Sequence, residues 1–118
     1  MKITKFVQDI IDTIFDSTKV RFKYTDYAAI LNLDVSKDND FYIPEITGDI
    51  TFNLLNAKDG DSGIIEAKMD AVGGYTITFG AMFTKRISEA FDTTASKDNF
   101  ISWQKIGDDI VYQISQVQ

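Results

Sequence analysis

Residues 46 to 80 have the sequence ITGDITFNLLNAKDGDSGIIEAKMDAVGGYTITFG. Apolar and polar residues alternate in its three longer runs, as they do in half-buried strands. Gly73 and Gly74 supply the positive φ angles that a tight reversal needs, so we predict a hairpin between IIEAKM and YTITFG. A second turn is predicted at KDGDSG, residues 58 to 63, between two alternating runs.

The same pattern of short runs and polar, Gly-rich turns extends outward from this stretch. We place strands near residues 28–34, 41–43, 49–55, 64–69, 75–83, 100–105 and 110–115. Pro44 is expected to end an edge strand, because proline has no backbone N–H to donate. No internal repeat and no low-complexity segment is evident. Regularly spaced short strands in 118 residues predict one sandwich or barrel-like domain.

Residues 1 to 18 have a helical period instead. Apolar residues recur three and four positions apart at Ile3, Phe6, Val7, Ile10, Ile11, Ile14 and Phe15. Four of them form a short a/d pattern that favours three or four strands in a coiled coil, here called the seam: Ile3, Val7, Ile10 and Ile14. A helix of about 14 residues is marginal alone in water, so its apolar face must pack against its own β domain, sister helices or another protein.

The period changes again after the helix, where Lys19, Arg21 and Lys23 alternate with apolar residues. This pattern predicts a connector or a first strand over residues 19 to 25. Its basic stripe is expected to be a solvated strand face, with docking to an acidic surface as the alternative. Residues 26 to 118 then form the β domain.

Composition excludes several classes of function. The chain has no histidine and no cysteine, which removes imidazole catalysis, thiol catalysis and the usual zinc ligands. A net charge of −6 disfavours nucleic acid as a partner. No run is long and apolar enough to span a membrane, since Asp9 and Asp12 interrupt the N-terminal one. We therefore expect no enzyme, no cofactor, and neither nucleic acid nor membrane as a partner.

Acidic residues give one weak metal hypothesis. The segment DVSKDNDFYIPE, residues 34 to 45, places Asp34, Asp38 and Asp40 at positions that bind calcium in an EF-hand loop. Asn39 stands where that loop needs glycine for its sharp turn. We favour a solvated polar turn and keep a calcium site of another geometry as the alternative.

Two further features have more than one interpretation. Asp59 and Asp61 are expected to be turn residues rather than cation ligands. Trp103, in the alternating run FISWQK, is a packing anchor, a subunit contact or a sugar-stacking platform, in that order of preference.

Residues 46 to 80 resemble a module of bacteriophage tail-fibre, head-fibre and baseplate proteins. The resemblance lies in the TGDITF strand, the NAKDGDSG turn, the DAVGG turn and the closing TITFG. It continues more weakly upstream in AILNLDVSKDNDFYIP and downstream in TASKDNFISWQKIGDDIVYQI, where Gly107 and Asp108 occupy the turn of a final hairpin. It covers residues 26 to 116 and leaves the helix unmatched.

The resemblance implies a fold and a role. Such modules are β-sandwich or jelly-roll-like units that trimerise in virion appendages and carry no catalytic residues. We therefore expect a mostly β fold, an antiparallel jelly-roll-like β-sandwich preceded by one N-terminal amphipathic α-helix. The expected role is a structural bacteriophage virion protein, made in the host cytoplasm, that forms a homotrimer and attaches to other virion proteins through residues 1 to 18. The alternative is a tip domain that binds a receptor or glycan on the host surface.

Overall fold

The computed structural model describes residues 22–87 and 90–116. The helix predicted for residues 1 to 18 lies outside this part of the chain, and the described part contains no helix. The described strands are β1 Lys23–Tyr24, β2 Ile30–Asp34, β3 Phe41–Ile46, β4 Ile50–Leu55, β5 Ser62–Met69, β6 Ile77–Phe79, β7 Phe83–Arg86, β8 Asp98–Ile106 and β9 Asp109–Gln116.

The strands form two sheets, and the chain alternates between them. The larger sheet has the order β1-β3-β5-β8-β9-β7, and the smaller has the order β2-β4-β6. Two consecutive strands therefore make one turn of the chain, with one strand in each sheet. The three turns are β1 with β2, β3 with β4, and β5 with β6. Strands of successive turns pair in parallel: β1 pairs with β3 and β3 with β5 in the larger sheet, and β2 pairs with β4 and β4 with β6 in the smaller one. The first half of the domain is thus a short solenoid-like stack of three turns.

The last two strands form an antiparallel hairpin that breaks this pattern. β8 pairs with β5 on one side and with β9 on the other, and β9 also pairs in parallel with β7. Gly107, with φ 61°, and Asp108 make the two-residue turn between Ile106 and Asp109. This confirms the hairpin predicted at the end of the chain.

The prediction of an antiparallel β-sandwich is wrong. Of the seven strand pairs in the described part of the chain, five are parallel, and the two antiparallel ones are β5–β8 and β8–β9. Alternation of apolar and polar residues has a period of two in both arrangements, so it located the strands without specifying their partners. Parallel strands need a long crossover, and here the strand in the opposite sheet supplies it.

The hairpin predicted between IIEAKM and YTITFG is also wrong. β5 lies in the larger sheet, whereas β6 pairs with β4 in the smaller one. Asp70 directs the change of sheet, because its Oδ1 accepts hydrogen bonds from the N–H groups of Val72 and Gly73, both at 2.9 Å. The KDGDSG turn likewise joins strands of different sheets, β4 and β5.

The smaller sheet contains a short internal repeat, contrary to the expectation from the sequence. The ITF of residues 50 to 52 pairs residue by residue with the ITF of residues 77 to 79. The rings of Phe52 and Phe79 stack at a centroid distance of 5.6 Å and an angle of 21°. One turn earlier Asn53 pairs with Asn32, and its Nδ2 donates to Asn32 Oδ1 at 3.1 Å. At these positions of the smaller sheet, identical residues of successive turns therefore stack on each other.

Pro44 does not end an edge strand. It lies inside β3, between β1 and β5, at a shift of register between Ile43 and Ile46. The described register of β1 with β3 covers Phe41 and Tyr42 and does not reach Pro44. The missing N–H of Pro44 therefore costs no hydrogen bond to β1.

The core lies between the two sheets and is almost entirely apolar. Its largest buried side chains include Phe52, Ile43, Ile65 and Ile101. Asn99 is the buried polar residue of the described chain. No helix suited to crossing a bilayer occurs among the described residues.

Candidate functional site

A shallow groove of about 610 Å³ lies on the larger sheet at β5, β8 and β9. We call it the outer groove. It is lined by Asn39, Asp40, Ser62, Gly63, Ile64, Ile87, Ser102, Trp103, Gln104, Val111, Tyr112 and Gln113.

Strand register places the polar side chains of the floor in two rows. Ser102 pairs with Ile64 on one side and with Gln113 on the other. Gln104 pairs in the same way with Ser62 and Val111. Ser102, Gln104 and Gln113 are exposed, while the intervening residues of β8 point into the core. The sheet therefore presents hydroxyl and amide groups to solvent from neighbouring strands.

Two hydrogen bonds fix the wall at residues 39 and 40. Asn39 Nδ2 donates to the carbonyl oxygen of Ser62 at 2.9 Å, and Asp40 Oδ1 accepts from the N–H of Ile64 at 2.9 Å. Gly63 between them has no room for a side chain, because a Cβ atom there would lie 2.0 Å from the Asn39 carbonyl oxygen. The polar turn after β2 is thus held against the start of β5.

The opposite wall is apolar. The N–H of Ile87 donates to the carbonyl oxygen of Tyr112 at 3.0 Å, and its side chain is 67% exposed. A floor of neutral hydrogen-bonding groups beside one exposed aliphatic side chain suits a hydroxyl-rich, uncharged ligand better than an anion, since no lysine or arginine is among the described residues that line the groove and Asp40 is.

Among the described residues no group of three or more acidic side chains is placed to hold a metal ion, so the structure does not bring Asp34, Asp38 and Asp40 together as such a group. Asp34 Oδ1 accepts from the N–H of Ser36 at 2.9 Å and from Asn56 Nδ2 at 3.0 Å. These bonds lower the pKa of Asp34 to about 2, with the Asn56 amide as the largest cause. The carboxylate thus organises its turn.

The acidic residues of KDGDSG also stabilise turns. Asp61 Oδ2 accepts from the N–H of Lys58, and Asp59 Oδ1 accepts from the N–H of Gly107, both at 2.8 Å. The second bond ties this turn to the β8–β9 turn, a contact between distant segments that local turn chemistry does not reveal.

Trp103 is a core residue with 3% of its surface exposed. Its ring therefore offers no stacking platform to a ligand. Its Nε1 has no hydrogen-bond partner among the described residues. Tyr24 and Val72 are large side chains that are exposed instead.

Several predicted interface residues lie outside the described residues. These are Lys19, Arg21 and the apolar set Ile3, Phe6, Val7, Ile10, Ile11, Ile14 and Phe15. Lys23, the last member of the basic stripe, is exposed at β1.

Of the residues that line the groove, Asp40 and Trp103 were singled out from sequence, whereas the polar residues of its floor were not, although a signal for them existed. A hairpin turn at Gly107 and Asp108 fixes the register of its strands, which aligns Ser102 with Gln113 on one face. Comparison with family models, curated proteins and solved structures found no match to this chain.

Proposed function

We propose that this chain is a structural protein of a bacteriophage virion, in a fibre, a baseplate or a capsid-decorating appendage. The observation that carries the proposal is the resemblance of residues 46 to 80 to the module of such proteins. These residues include β4, β5 and β6, so the resemblance covers the middle of both sheets.

The residues that carry the resemblance have structural roles in this fold, which supports a structural function. Asp70 binds the backbone of the DAVGG turn, and Tyr75 donates its hydroxyl to Asp70 Oδ2 at 2.9 Å. A Cβ atom on Gly73 would lie 2.5 Å from the backbone nitrogen of Ala95, so this turn packs tightly on a second loop. The proposal assigns no reaction to the chain.

The chain's presence in virions is testable directly. We expect mass spectrometry of banded particles, purified from a host that produces the phage encoding this chain, to find it in a constant ratio to the major capsid protein. Treating the particles with high salt before banding removes adsorbed proteins. A chain that is abundant in the lysate but absent from washed particles would contradict the proposal.

Assembly as a homotrimer is part of the same proposal, and the seam in residues 1 to 18 supports it. Light scattering on the full chain should give three times the chain mass of 13.3 kDa. Ile10→Asp puts a charge into the seam and should lower the mass toward one chain. Gln8→Asp adds the same charge to the polar side of the predicted helix and should leave the trimer intact. A monomeric wild-type chain at micromolar concentration rules the trimer out.

The outer groove favours a second candidate function, a tip domain that binds a glycan of the host surface. Its floor of Ser102, Gln104 and Gln113 has the uncharged donors and acceptors that sugar hydroxyls bind. Binding of the full chain to a glycan array and to host cells tests this. Gln113→Ala should weaken binding, whereas Ser115→Ala, on the same strand but outside the groove, should not. Equal effects of the two variants, or no binding at all, would remove this candidate.

A further inference from the structure

A row of aromatic side chains crosses the larger sheet beside the outer groove. Strand register aligns Tyr24 of β1 with Tyr42 of β3, and Tyr42 with Glu66 of β5. Glu66 is aligned in turn with Phe100 of β8. We call Tyr24, Tyr42 and Phe100 the aromatic row. Phe100 lies two residues before Ser102 on β8, so the row runs about 7 Å from the polar floor of the groove.

The aromatic row is on the face of the sheet that points away from the core. Side chains alternate across a strand, and the neighbouring Phe41 and Ile101 are buried between the sheets. Tyr24 is 72% exposed, and Tyr42 and Phe100 are half-buried. The rings of the two tyrosines meet edge to face at a centroid distance of 5.1 Å and an angle of 89°. One ring of such a pair contributes only its edge, so its apolar faces remain for a ligand.

A hydrogen-bond acceptor without a donor lies on the same face. Asp98 is two residues before Phe100 on β8, and its Oδ1 is buried without a hydrogen-bond partner among the described residues. Lys68 lies opposite Asp98 on β5 but does not donate to this oxygen. Because a buried acceptor without a donor costs free energy, a ligand that brings a hydroxyl donor to this place gains affinity.

The charges around the aromatic row disfavour an anionic ligand. The pKa of Tyr42 is raised, first by burial and then by the negative charge of Glu66. Tyr24 and Asp98 raise it further. Asp40 adds a carboxylate at the wall of the adjoining groove. A glycan with acidic groups would bring like charge to these carboxylates, whereas an uncharged one would not.

We propose that the outer groove and the aromatic row form one site for a short, uncharged oligosaccharide that lies across the strands. One end binds the hydroxyl and amide groups of the floor. The other end stacks on the aromatic row, with Asp98 accepting a hydrogen bond from a sugar hydroxyl. From β9 to β1 the sheet spans four strand spacings, about 19 Å, which suits several sugars rather than one. The proposal rests on the glycan-binding candidate above and does not depend on the chain's place in a virion.

A protein is a poorer occupant of this surface. The centre of a protein interface is a closely packed apolar patch that is depleted of charge. Here Glu66 interrupts the aromatic row, and the next row along the strands continues with the polar side chains of Ser102 and Gln113. Alternating rings and hydrogen-bonding groups suit a sugar chain, which presents apolar ring faces and hydroxyl groups together.

A glycan array probed with the full chain tests the class of ligand. We expect binding to short uncharged oligomers of hexose and N-acetylhexosamine, weaker binding to the single sugars, and none to sialic acid or uronic acid oligomers of the same length. Preference for the acidic oligomers would overturn the proposal. Equal binding of single sugars and oligomers would overturn it as well.

Variants of the aromatic row then locate the site. Tyr24→Ser and Tyr42→Ser should each lower the affinity for the uncharged oligomer that binds best on the array, by roughly fivefold. Val72→Ser removes another exposed apolar side chain, 75% exposed and outside the aromatic row, and should leave the affinity unchanged. Thermal unfolding followed by the fluorescence of Trp103 checks that each variant is folded. Tyr24 is far enough exposed that its loss leaves the core intact.

Comparison with Gln113→Ala separates this proposal from the candidate function on which it rests. Weaker binding in Gln113→Ala with wild-type binding in both tyrosine variants would disprove the aromatic row and keep the groove as a glycan site. Weaker binding in the tyrosine variants alone would overturn the joint site. No binding of any array glycan by the wild-type chain would remove both.

Asp98→Ala tests the acceptor. Since Oδ1 has no donor among the described residues, its removal should leave the melting temperature unchanged or higher, while the affinity for the uncharged oligomer falls on the order of tenfold. Asp108→Ala, at the exposed β8–β9 turn, removes the same charge at the other end of β8 and is the matched control. Wild-type affinity in Asp98→Ala, or an equal loss in both variants, would overturn the role proposed for Asp98.

Discussion

Gly63 and Trp103 face each other directly across β5 and β8, and the indole occupies the space that a side chain on residue 63 would need. A Cβ atom on Gly63 would lie 3.0 Å from Trp103 Cζ2 and 2.0 Å from the carbonyl oxygen of Asn39. The first contact is tight, and the second requires the backbone to move. Gly63 therefore lies between Trp103, which packs in the core, and Asn39, which forms a wall of the outer groove.

Gly63→Ala is expected to destabilise the domain by about 2 kcal/mol or more, because the added methyl group overpacks against backbone. Urea unfolding followed by fluorescence measures the change, since Trp103 is the one tryptophan of the chain. Ser62→Ala, at the adjacent exposed position, should change stability by less than about 0.5 kcal/mol. Equal losses in the two variants would show that the site tolerates a methyl group.

Asn99→Ala should cost about 1 to 3 kcal/mol, because a buried side chain that satisfies backbone groups is lost. Asn99 is 0% exposed. Its Oδ1 accepts from the N–H of Asp92 at 2.9 Å, and its Nδ2 donates to the Asp92 carbonyl oxygen at 3.0 Å. The measurement is the free energy of unfolding, with hydrogen exchange at the Asp92 amide.

Gln116→Ala is the control for this buried amide. It removes the bond from Gln116 Nε2 to Asn99 Oδ1, at 3.0 Å, but leaves both bonds to Asp92. Its cost should be below about 1 kcal/mol, with slow exchange retained at Asp92. A larger loss in Gln116→Ala than in Asn99→Ala would refute the assigned role of Asn99.

Stability should fall as the pH drops from about 4 toward 2. The pKa of Asp34 is lowered from 3.8 to about 2, and hydrogen bonds also lower the pKa of Asp70 and of Asp92. A pKa that is lower in the folded chain means that the ionised form stabilises the fold. That contribution is complete above the unfolded pKa and disappears as the pH falls through the folded one. Urea midpoints at pH 6, 4, 3 and 2 measure it.

Asn56→Gly isolates the Asp34 contribution. The change removes the amide that is the largest cause of the shift, while glycine accepts the φ of 64° that Asn56 adopts. The pKa of Asp34, followed by NMR titration of its carboxyl carbon, should rise toward 3.8. An unchanged pKa would show that the Asn56 bond does not form in solution.

The sequence predicted where the strands lie but not how they pair. Alternation and polar turns located β2 to β6, β8 and β9, whereas the run predicted over residues 75 to 83 contains β6 and only the first residue of β7. Pairing depends on which residues stack between turns, and period-two alternation is the same for parallel and antiparallel neighbours. The repeated ITF was the available signal. It was hidden because the number of residues from a strand position to its partner in the next turn is not constant. Ile30 pairs with Thr51, whereas Ile50 pairs with Ile77.

The outer groove was less predictable than the strands. Its floor follows from the register of the β8–β9 hairpin, which turn chemistry indicates. Its walls come from residues 39 to 40 and Ile87, which approach β5 and β9 only through tertiary contacts. A packing role was the preferred prediction for Trp103, and its burial agrees with that preference.

The contribution of the stacked Asn32 and Asn53 side chains to stability can be measured through Gly80, which lies against Asn53. Asn53 bonds to Asn32 on one side, and on the other a Cβ atom on Gly80 would lie 2.0 Å from Asn53 Oδ1. Gly80→Ala should therefore displace the Asn53 side chain and cost roughly 1 to 3 kcal/mol.

A double-mutant cycle separates this displacement from any strain in the backbone of residue 80. On an Asn53→Ala background the clash with Oδ1 is absent, so Gly80→Ala should cost at least about 1 kcal/mol less than it does in the wild type. Gln113→Ala, in the other sheet, serves as the control background and should add to Gly80→Ala within about 0.5 kcal/mol. A cost of Gly80→Ala that is the same on all three backgrounds would mean that Asn53 does not hold its place between the turns. The asparagine pair would then contribute nothing to the parallel register, and that register would depend on the stacked Phe52 and Phe79.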